Sequence, residues 1–210
     1  MHKALLVTYL SFLVLLMQFG NCLAADPRVC IQDVAAAIDE ADVELFKARV
    51  DVDAVLKNAI QVFLQEINKP QLKQHVPPML ALMLQQAASN EAVGASIRQL
   101  LLTETRAFVL NGIASGAFAG KKLSNSTEQG LLTPLFANAS LGRKEIVQIG
   151  SAQQCPDGWI VPFVVYDYGN ELEYSVDGLV QNNNGSLRLM RIVNLEALIA
   201  QIQEEAKQFN

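Results

Sequence analysis

The fold is decided by a C-terminal stretch in which three strand-like segments follow one another with turns between them. Residues 159–166 read Trp-Ile-Val-Pro-Phe-Val-Val-Tyr, residues 171–176 read Glu-Leu-Glu-Tyr-Ser-Val, and residues 186–193 read Ser-Leu-Arg-Leu-Met-Arg-Ile-Val. Runs of this length that are rich in β-branched and aromatic residues are typical of strands. The stretch therefore predicts an antiparallel β-meander, preceded by a first strand at 145–149.

The middle segment alternates strictly between apolar and polar residues, so that one face of the strand is apolar and the other polar. These faces hold Leu172, Tyr174 and Val176 on one side and Glu171, Glu173 and Ser175 on the other. The segment at 159–166 is apolar at almost every position, which predicts a central or covered strand. Asn-Asn-Asn-Gly at 182–185 predicts a tight turn, because Asn and Gly tolerate positive φ.

Helical patterns dominate the chain before this stretch. Apolar residues recur three and four positions apart over 31–46, 54–67, 79–88 and 91–113, which is the spacing of amphipathic helices. Asp53 is the predicted N-cap of the second helix. Half of a calcium loop is the alternative reading of Asp51 and Asp53, but the Gly and Glu that such a loop requires do not follow. Asn194 is the predicted cap of a closing helix.

The first 24 residues have the pattern of a secretory signal peptide. A basic start at His2 and Lys3 precedes an apolar run at 4–19, and small residues follow near residue 24. The run is shorter than the roughly 20 residues that a bilayer span needs, which argues against a retained anchor. Lipidation of Cys22 stays open. The pattern predicts an exported protein, periplasmic or secreted, with no stable membrane span after cleavage.

The charge of the chain argues against nucleic acid as a partner. The sequence carries 16 basic and 21 acidic residues, and loss of Lys3 with the signal peptide would leave a net charge of −6. Binding to phosphates needs clustered Lys and Arg, and the sequence has no basic run longer than Arg143-Lys144.

Cleavage at residue 24 would leave two cysteines, Cys30 and Cys155. In an oxidising compartment two cysteines can form one disulfide. We therefore expect a bond that ties the start of the mature chain to the turn before the strand at 159–166. Two unpaired thiols are the alternative.

Sequence motifs for catalysis are missing. The chain has no nucleophile elbow, no His-Glu-x-x-His, no Cys-x-x-Cys, no Walker loop and no dinucleotide fingerprint. After residue 24 the only histidine is His75, and one histidine alone predicts neither a metal site nor a catalytic triad. The sequence thus predicts a protein without catalytic residues, metal or cofactor.

Polar and aromatic residues around residue 167 are the best remaining candidates for a site. A buried Asp beside a Tyr on the concave face of a sheet can transfer protons, whereas a turn Asp with interfacial tyrosines and solvent-side carboxylates is the simpler interpretation. Methionines of the helix at 79–88 can line a soft ligand cavity or pack in the core. The candidate ligand-binding residues are Tyr166, Asp167, Tyr174, Arg191 and Met83.

Two segments carry a resemblance to a known group. Residues 49–56 read Arg-Val-Asp-Val-Asp-Ala-Val-Leu, and residues 187–192 read Leu-Arg-Leu-Met-Arg-Ile. Together with the signal peptide, they resemble small exported bacterial proteins of unknown function with the cone-shaped, cystatin-like fold of the nuclear-transport-factor-2-like superfamily. Leu187 stands where Trp is common in that group. The resemblance implies a curved sheet with a pocket and does not imply a reaction.

Taken together, these features predict one α+β domain over 26–210. Its helical half, 26–120, packs on a curved antiparallel sheet that is followed by a C-terminal helix, over 145–210. The predicted function is a non-catalytic binding or interaction module, with an unknown protein or an apolar small molecule as partner. One alternative is a carrier of a lipid or other apolar ligand, held between the helices at 79–113 and the sheet. The other is an enzyme that uses Asp167 and Tyr166.

Overall fold

The computed structural model describes residues 26–66, 90–121 and 142–208. The predicted signal peptide, His75, the predicted helix at 79–88 and Met83 lie outside this part of the chain. The described elements are the helices α1 (Pro27–Glu40), α2 (Val43–Arg49), α3 (Val52–Glu66) and α4 (Glu91–Ala114), the strands β1 (Lys144–Ile149), β2 (Gln153–Cys155), β3 (Gly158–Asp167), β4 (Leu172–Asn183) and β5 (Ser186–Ile192), and the helix α5 (Leu195–Gln208). The α+β class is confirmed. Over the described ranges, no helix has both the length and the hydropathy needed to cross a membrane.

Acidic and amide side chains begin the N-terminal helices. Asp26, Asp42 and Asn90 accept hydrogen bonds from backbone N–H groups in the first turns of α1, α2 and α4. The start of α3 corrects the sequence prediction, because the cap is Asp51 and not Asp53. Asp51 Oδ1 accepts from Ala54 N at 3.0 Å, whereas Asp53 lies in the first turn.

The reason for this shift lies in the sheet. Val50 forms a parallel bridge with Leu189, and Asp51 N donates to Leu189 O at 2.9 Å. The chain is therefore held extended alongside β5 up to residue 51, and the helix begins directly after that contact.

The strands form one antiparallel, curved and unclosed sheet in the order β1-β3-β4-β5, with β2 also paired to β3. The central position predicted for residues 159–166 is confirmed, since β3 has neighbours on both sides. Irregular register occurs between Ile146 and Gln148 and between Leu179 and Val180, and such irregularities bend a sheet.

On one side of β3 the sheet edge consists of two short strands, β1 and β2, which are interrupted opposite Pro162. Gly150 N donates to Pro162 O at 2.8 Å, so the side of Pro162 that lacks an N–H faces the break between β1 and β2. A Cβ at Gly150 would lie 2.8 Å from Pro162 Cγ, which explains why the bend is made with glycine. Proline inside a sheet is confined to such interruptions.

The turn predicted at 182–185 is also confirmed. Asn184 and Gly185 have φ values of 53° and 84°, which is the conformation of a two-residue hairpin turn. Gly185 N donates to Asn182 Oδ1 at 2.9 Å.

Helices cover one face of the sheet. α1 lies against β1, β3 and β5, both α2 and α3 contact β5, and α4 packs on α3. The alternation predicted for β4 is confirmed, because Val176 is buried whereas Glu173 and Ser175 are exposed. The interior between the two layers is filled by buried side chains, chiefly Ile31, Val34, Phe46, Leu56, Ile113, Val161, Phe163, Val180 and Leu189.

α5 closes the part of β4 that β5 does not reach. Asn194 accepts from Asp177 N at 2.9 Å and donates to Ser175 O at 2.8 Å, and Gln201 Nε2 donates to Glu173 O at 3.0 Å. Side chains thus satisfy backbone groups that would otherwise form an open sheet edge.

Candidate functional site

The residues predicted to bind a ligand do not converge on one site. Tyr166 and Asp167 are adjacent in β3 and point to opposite faces of the sheet. Asp167 is only 6% exposed. It pairs with Lys144 Nζ at 2.8 Å and accepts from Gly169 N at 2.8 Å. The carboxylate is therefore engaged in holding the end of β3.

Tyr166 belongs to a surface cluster on the other face. Its ring meets that of Tyr168 edge-on, with centroids 4.7 Å apart. Tyr168 Oη donates to Glu145 Oε2 at 2.8 Å, and Arg143 pairs with Glu145 at 3.0 Å and lies over the Tyr168 ring. The hydrogen bond to Glu145 raises the pKa of Tyr168. The polar groups of Arg143, Glu145 and Tyr168 therefore satisfy one another.

The other candidates lie elsewhere. Tyr174 is on the helix-covered face, where its hydroxyl accepts from Asn170 Nδ2 at 2.6 Å. Arg191 is exposed and stands opposite Leu179, five residues along β4 from Tyr174, which is about 17 Å in a strand. Met83 lies outside the described residues.

The two cysteines are free, so the expected disulfide is not present in the structure. Cys30 is 2% exposed on the inner side of α1, and its Sγ lies 3.5 Å from the carbonyl oxygen of Arg49. Cys155 ends β2 opposite Gly158, in the β2–β3 hairpin. One thiol is therefore packed in the core and the other belongs to a partly exposed turn. Burial raises the pKa of Cys30 to about 11.

We expect a thiol-specific alkylating reagent to modify Cys155 and to spare Cys30 in the folded protein, because only the thiolate reacts. Mass spectrometry of peptides labelled before and after unfolding measures how far each of the two thiols is modified. The pKa of the Cys30 thiol is near 9.0 in the unfolded chain and about 11 in the folded protein. The contribution of Cys30 to the free energy of unfolding is therefore present below pH 9 and is lost as the pH rises toward 11. Equal labelling of both cysteines in the native state would contradict the burial of Cys30.

A network of charged residues joins the helices to β5. Arg49 pairs with Asp33 at 2.7 Å and donates to Ser186 Oγ at 3.2 Å. Arg188 Nη2 lies 3.1 Å from the carbonyl oxygens of Lys47 and Val50, and Nη1 lies 3.6 Å from Asp51. Apart from Arg188 Nε, which is buried without a hydrogen-bond partner among the described residues, the charged groups of this network contact one another or backbone carbonyls, which indicates a structural role.

A groove between α3 and α4, with a volume of about 620 Å³, has the geometry of a binding site. We call it the α3–α4 groove. Its base is continuous with a small apolar cluster, separate from the main core, that contains Ile60, Ile97 and Leu101. The groove is lined by Lys57, Ile60, Gln61, Leu64, Gln65, Ala95, Arg98, Gln99 and Leu102.

An ion pair fixes the relative placement of the two walls. Arg106 Nη1 lies 3.4 Å from Asp53 Oδ1, and this joins the first turn of α3 to the C-terminal half of α4. Residues that follow Asp53 along α3 line the groove together with residues that precede Arg106 along α4, so the two helices run antiparallel. Steps of four residues from the Asp53–Arg106 pair place Lys57 of α3 at the same height as Leu102 of α4. The next step places Gln61 at the same height as Arg98.

The sequence did not predict this groove. It predicted a carrier cavity between the helices at 79–113 and the sheet, and part of that region lies outside the described residues. Between the described helices and the sheet, buried side chains form the core. The periodicity of 54–67 separates an apolar seam from a polar side, and the groove lies at their boundary. Only the pairing with α4 reveals it.

In the described ranges, no group of three or more His, Cys, Asp or Glu side chains is arranged to hold a metal ion. No protein-family model, curated protein or solved structure matches this chain. The ligand of the groove is therefore inferred from the chemistry of the residues that line it.

Proposed function

We propose that this protein is an exported, non-catalytic binding module that holds a small amphipathic ligand in the α3–α4 groove. The observation that carries the proposal is the composition of the groove, in which aliphatic side chains are combined with amides and cationic groups. Ligand pockets have volumes of roughly 300–1,000 Å³ and occur between helices of bundles. The α3–α4 groove, at about 620 Å³, lies within that range.

Binding is favoured over catalysis by the placement of the candidate acid and phenol. An enzyme that used Asp167 and Tyr166 would need both groups at one reacting centre, but neighbouring positions in β3 face opposite ways. Asp167 is also committed to Lys144 and to the turn at Gly169. Export is proposed from the signal-peptide pattern of residues 1–24.

Membership of the nuclear-transport-factor-2-like superfamily also stands as a proposal. Its support is the combination of a curved antiparallel sheet with helices on one face. That resemblance implies a pocket beside the curved sheet, whereas core side chains fill the space between the sheet and the described helices. The binding site proposed here lies apart from it, between two helices.

Substitution of Ala95 by phenylalanine tests the proposed site. Ala95 is exposed on the α4 wall, so a phenyl ring there occupies groove volume without disturbing buried residues. We expect Ala95→Phe to weaken binding of a neutral apolar dye such as Nile red by about tenfold, measured by fluorescence titration.

Ala107→Phe is the matched control, since Ala107 is exposed on the same helix but does not line the groove. We expect it to leave dye binding unchanged. Equal effects of the two substitutions, or no dye binding by the unsubstituted protein, would overturn the proposed site.

A further inference from the structure

We infer that the ligand of the α3–α4 groove is a single-chain amphiphile with an anionic head group, which Lys57 and Arg98 bind together. This inference rests on the proposed function and specifies its ligand. An alkyl carboxylate is the simplest molecule of the class.

The charge pattern of the groove is the first support. Among the described residues, its lining contains two cationic side chains and no Asp or Glu, although the chain as a whole has five more acidic than basic residues. A concave surface of one sign raises the local concentration of ligands of the opposite sign. The described lining therefore attracts an anion more strongly than a cation.

The lack of ion pairs at the two groove cations is the second support. In the described part of the chain, seven Lys and Arg side chains are ion-paired: Arg28, Lys47, Arg49, Arg106, Arg143, Lys144 and Arg188. Of the described cations that form no ion pair with a described residue, Lys57 and Arg98 line the same groove, whereas Lys121 and Arg191 do not line it. The charges of Lys57 and Arg98 are therefore available to a bound anion.

The distribution of side chains along the groove gives the ligand an orientation. Arg98 lies in the middle of the groove, at the level of Gln61, and Lys57 lies one turn nearer to the Asp53–Arg106 pair. A guanidinium binds a carboxylate through two parallel hydrogen bonds, and the Gln61 amide offers further donors. At the end of the groove away from the Asp53–Arg106 pair, Leu64 and Ala95 provide apolar surface on which an alkyl chain can lie.

The experiment compares three amphiphiles that share one alkyl chain and differ in head group: dodecanoate, dodecanol and dodecyltrimethylammonium. Each displaces Nile red from the full protein, at concentrations below those that form micelles. We expect dodecanoate to bind about tenfold more tightly than dodecanol and the cation to bind most weakly. The preference for dodecanoate should decrease at high salt, because both cations are exposed.

The double substitution Lys57→Gln with Arg98→Gln tests the residues themselves. We expect it to abolish the preference for dodecanoate while dodecanol binding is retained. Arg191→Gln is the control, since Arg191 is exposed on the sheet, away from the groove. The thermal unfolding midpoint of each variant, compared with that of the unsubstituted protein, tests whether the fold is kept.

The outcomes separate this inference from the function on which it rests. If dodecanoate and dodecanol bind equally, or if the double variant keeps the preference, the inference is wrong and the groove remains a site for apolar ligands. If no amphiphile displaces the dye and Ala95→Phe has no effect, both are wrong.

Discussion

Replacement of Ile31 by alanine is expected to lower the free energy of unfolding by about 2–5 kcal/mol. Ile31 is completely buried on α1, in the layer where that helix meets the sheet. Removal of its side chain takes apolar atoms out of the core and leaves a cavity that the surrounding strands fill only in part. Chemical denaturation followed by circular dichroism measures the change.

Val29→Ala is the matched control for this prediction. Val29 is two residues away on the same helix and is 45% exposed, so we expect a change of no more than about 0.5 kcal/mol. If the two substitutions have similar effects, the face of α1 that packs on the sheet has been assigned wrongly.

Arg188→Ala is expected to cost about 2–4 kcal/mol of stability, because it breaks a partly buried network. The guanidinium lies between the carbonyl oxygens of Lys47 and Val50 and the carboxylate of Asp51. In the unsubstituted protein the side chains of Arg188 and Asp51 are only 27% and 26% exposed. Removal of the guanidinium therefore leaves these acceptors partly buried and without their donor. The substitution therefore loosens the connection of α2 and α3 to β5.

The control for this network is Arg191→Ala, in the same strand. Arg191 is exposed and stands opposite Leu179 on the outer face, so its removal should change the free energy of unfolding by no more than about 0.5 kcal/mol. Equal losses for Arg188→Ala and Arg191→Ala would show that the contacts to the helix ends do not stabilise the fold.

The sheet could be predicted because its determinants are local. Alternation in 171–176 specifies which face is buried, and Asn184-Gly185 specifies the turn by backbone conformation. The start of α3 was predicted less accurately than the sheet, because Asp51 and Asp53 are both suitable N-caps. The contact of Asp51 N with Leu189 O, made across more than 130 residues, selects the first.

The candidate site was harder to predict, and the reason is geometric. Tyr166 and Asp167 are close in sequence, but the period of two in a strand separates them. Lys57 and Arg98 are far apart in sequence, and they line one groove because α3 and α4 run antiparallel with Asp53 beside Arg106. Such a register depends on tertiary packing, which helical periodicity does not specify.

The same limit applies to the cysteines. The oxidising compartment predicted from the signal-peptide pattern favoured a bond between Cys30 and Cys155. The apolar periodicity of α1 places Cys30 beside Ile31 and Val34 on the inner side of the helix, where its thiol meets the carbonyl oxygen of Arg49. Core packing and not pairing determines the position of this residue.

The most direct test of the binding groove is a heteronuclear NMR titration of the protein with dodecanoate, in which the backbone amide shifts are followed residue by residue. Binding as proposed predicts that the largest shifts occur at Lys57, Gln61, Ala95 and Arg98 and that they saturate together. Shifts concentrated at Tyr166, Asp167 and Arg191, with α3 and α4 unchanged, would contradict it.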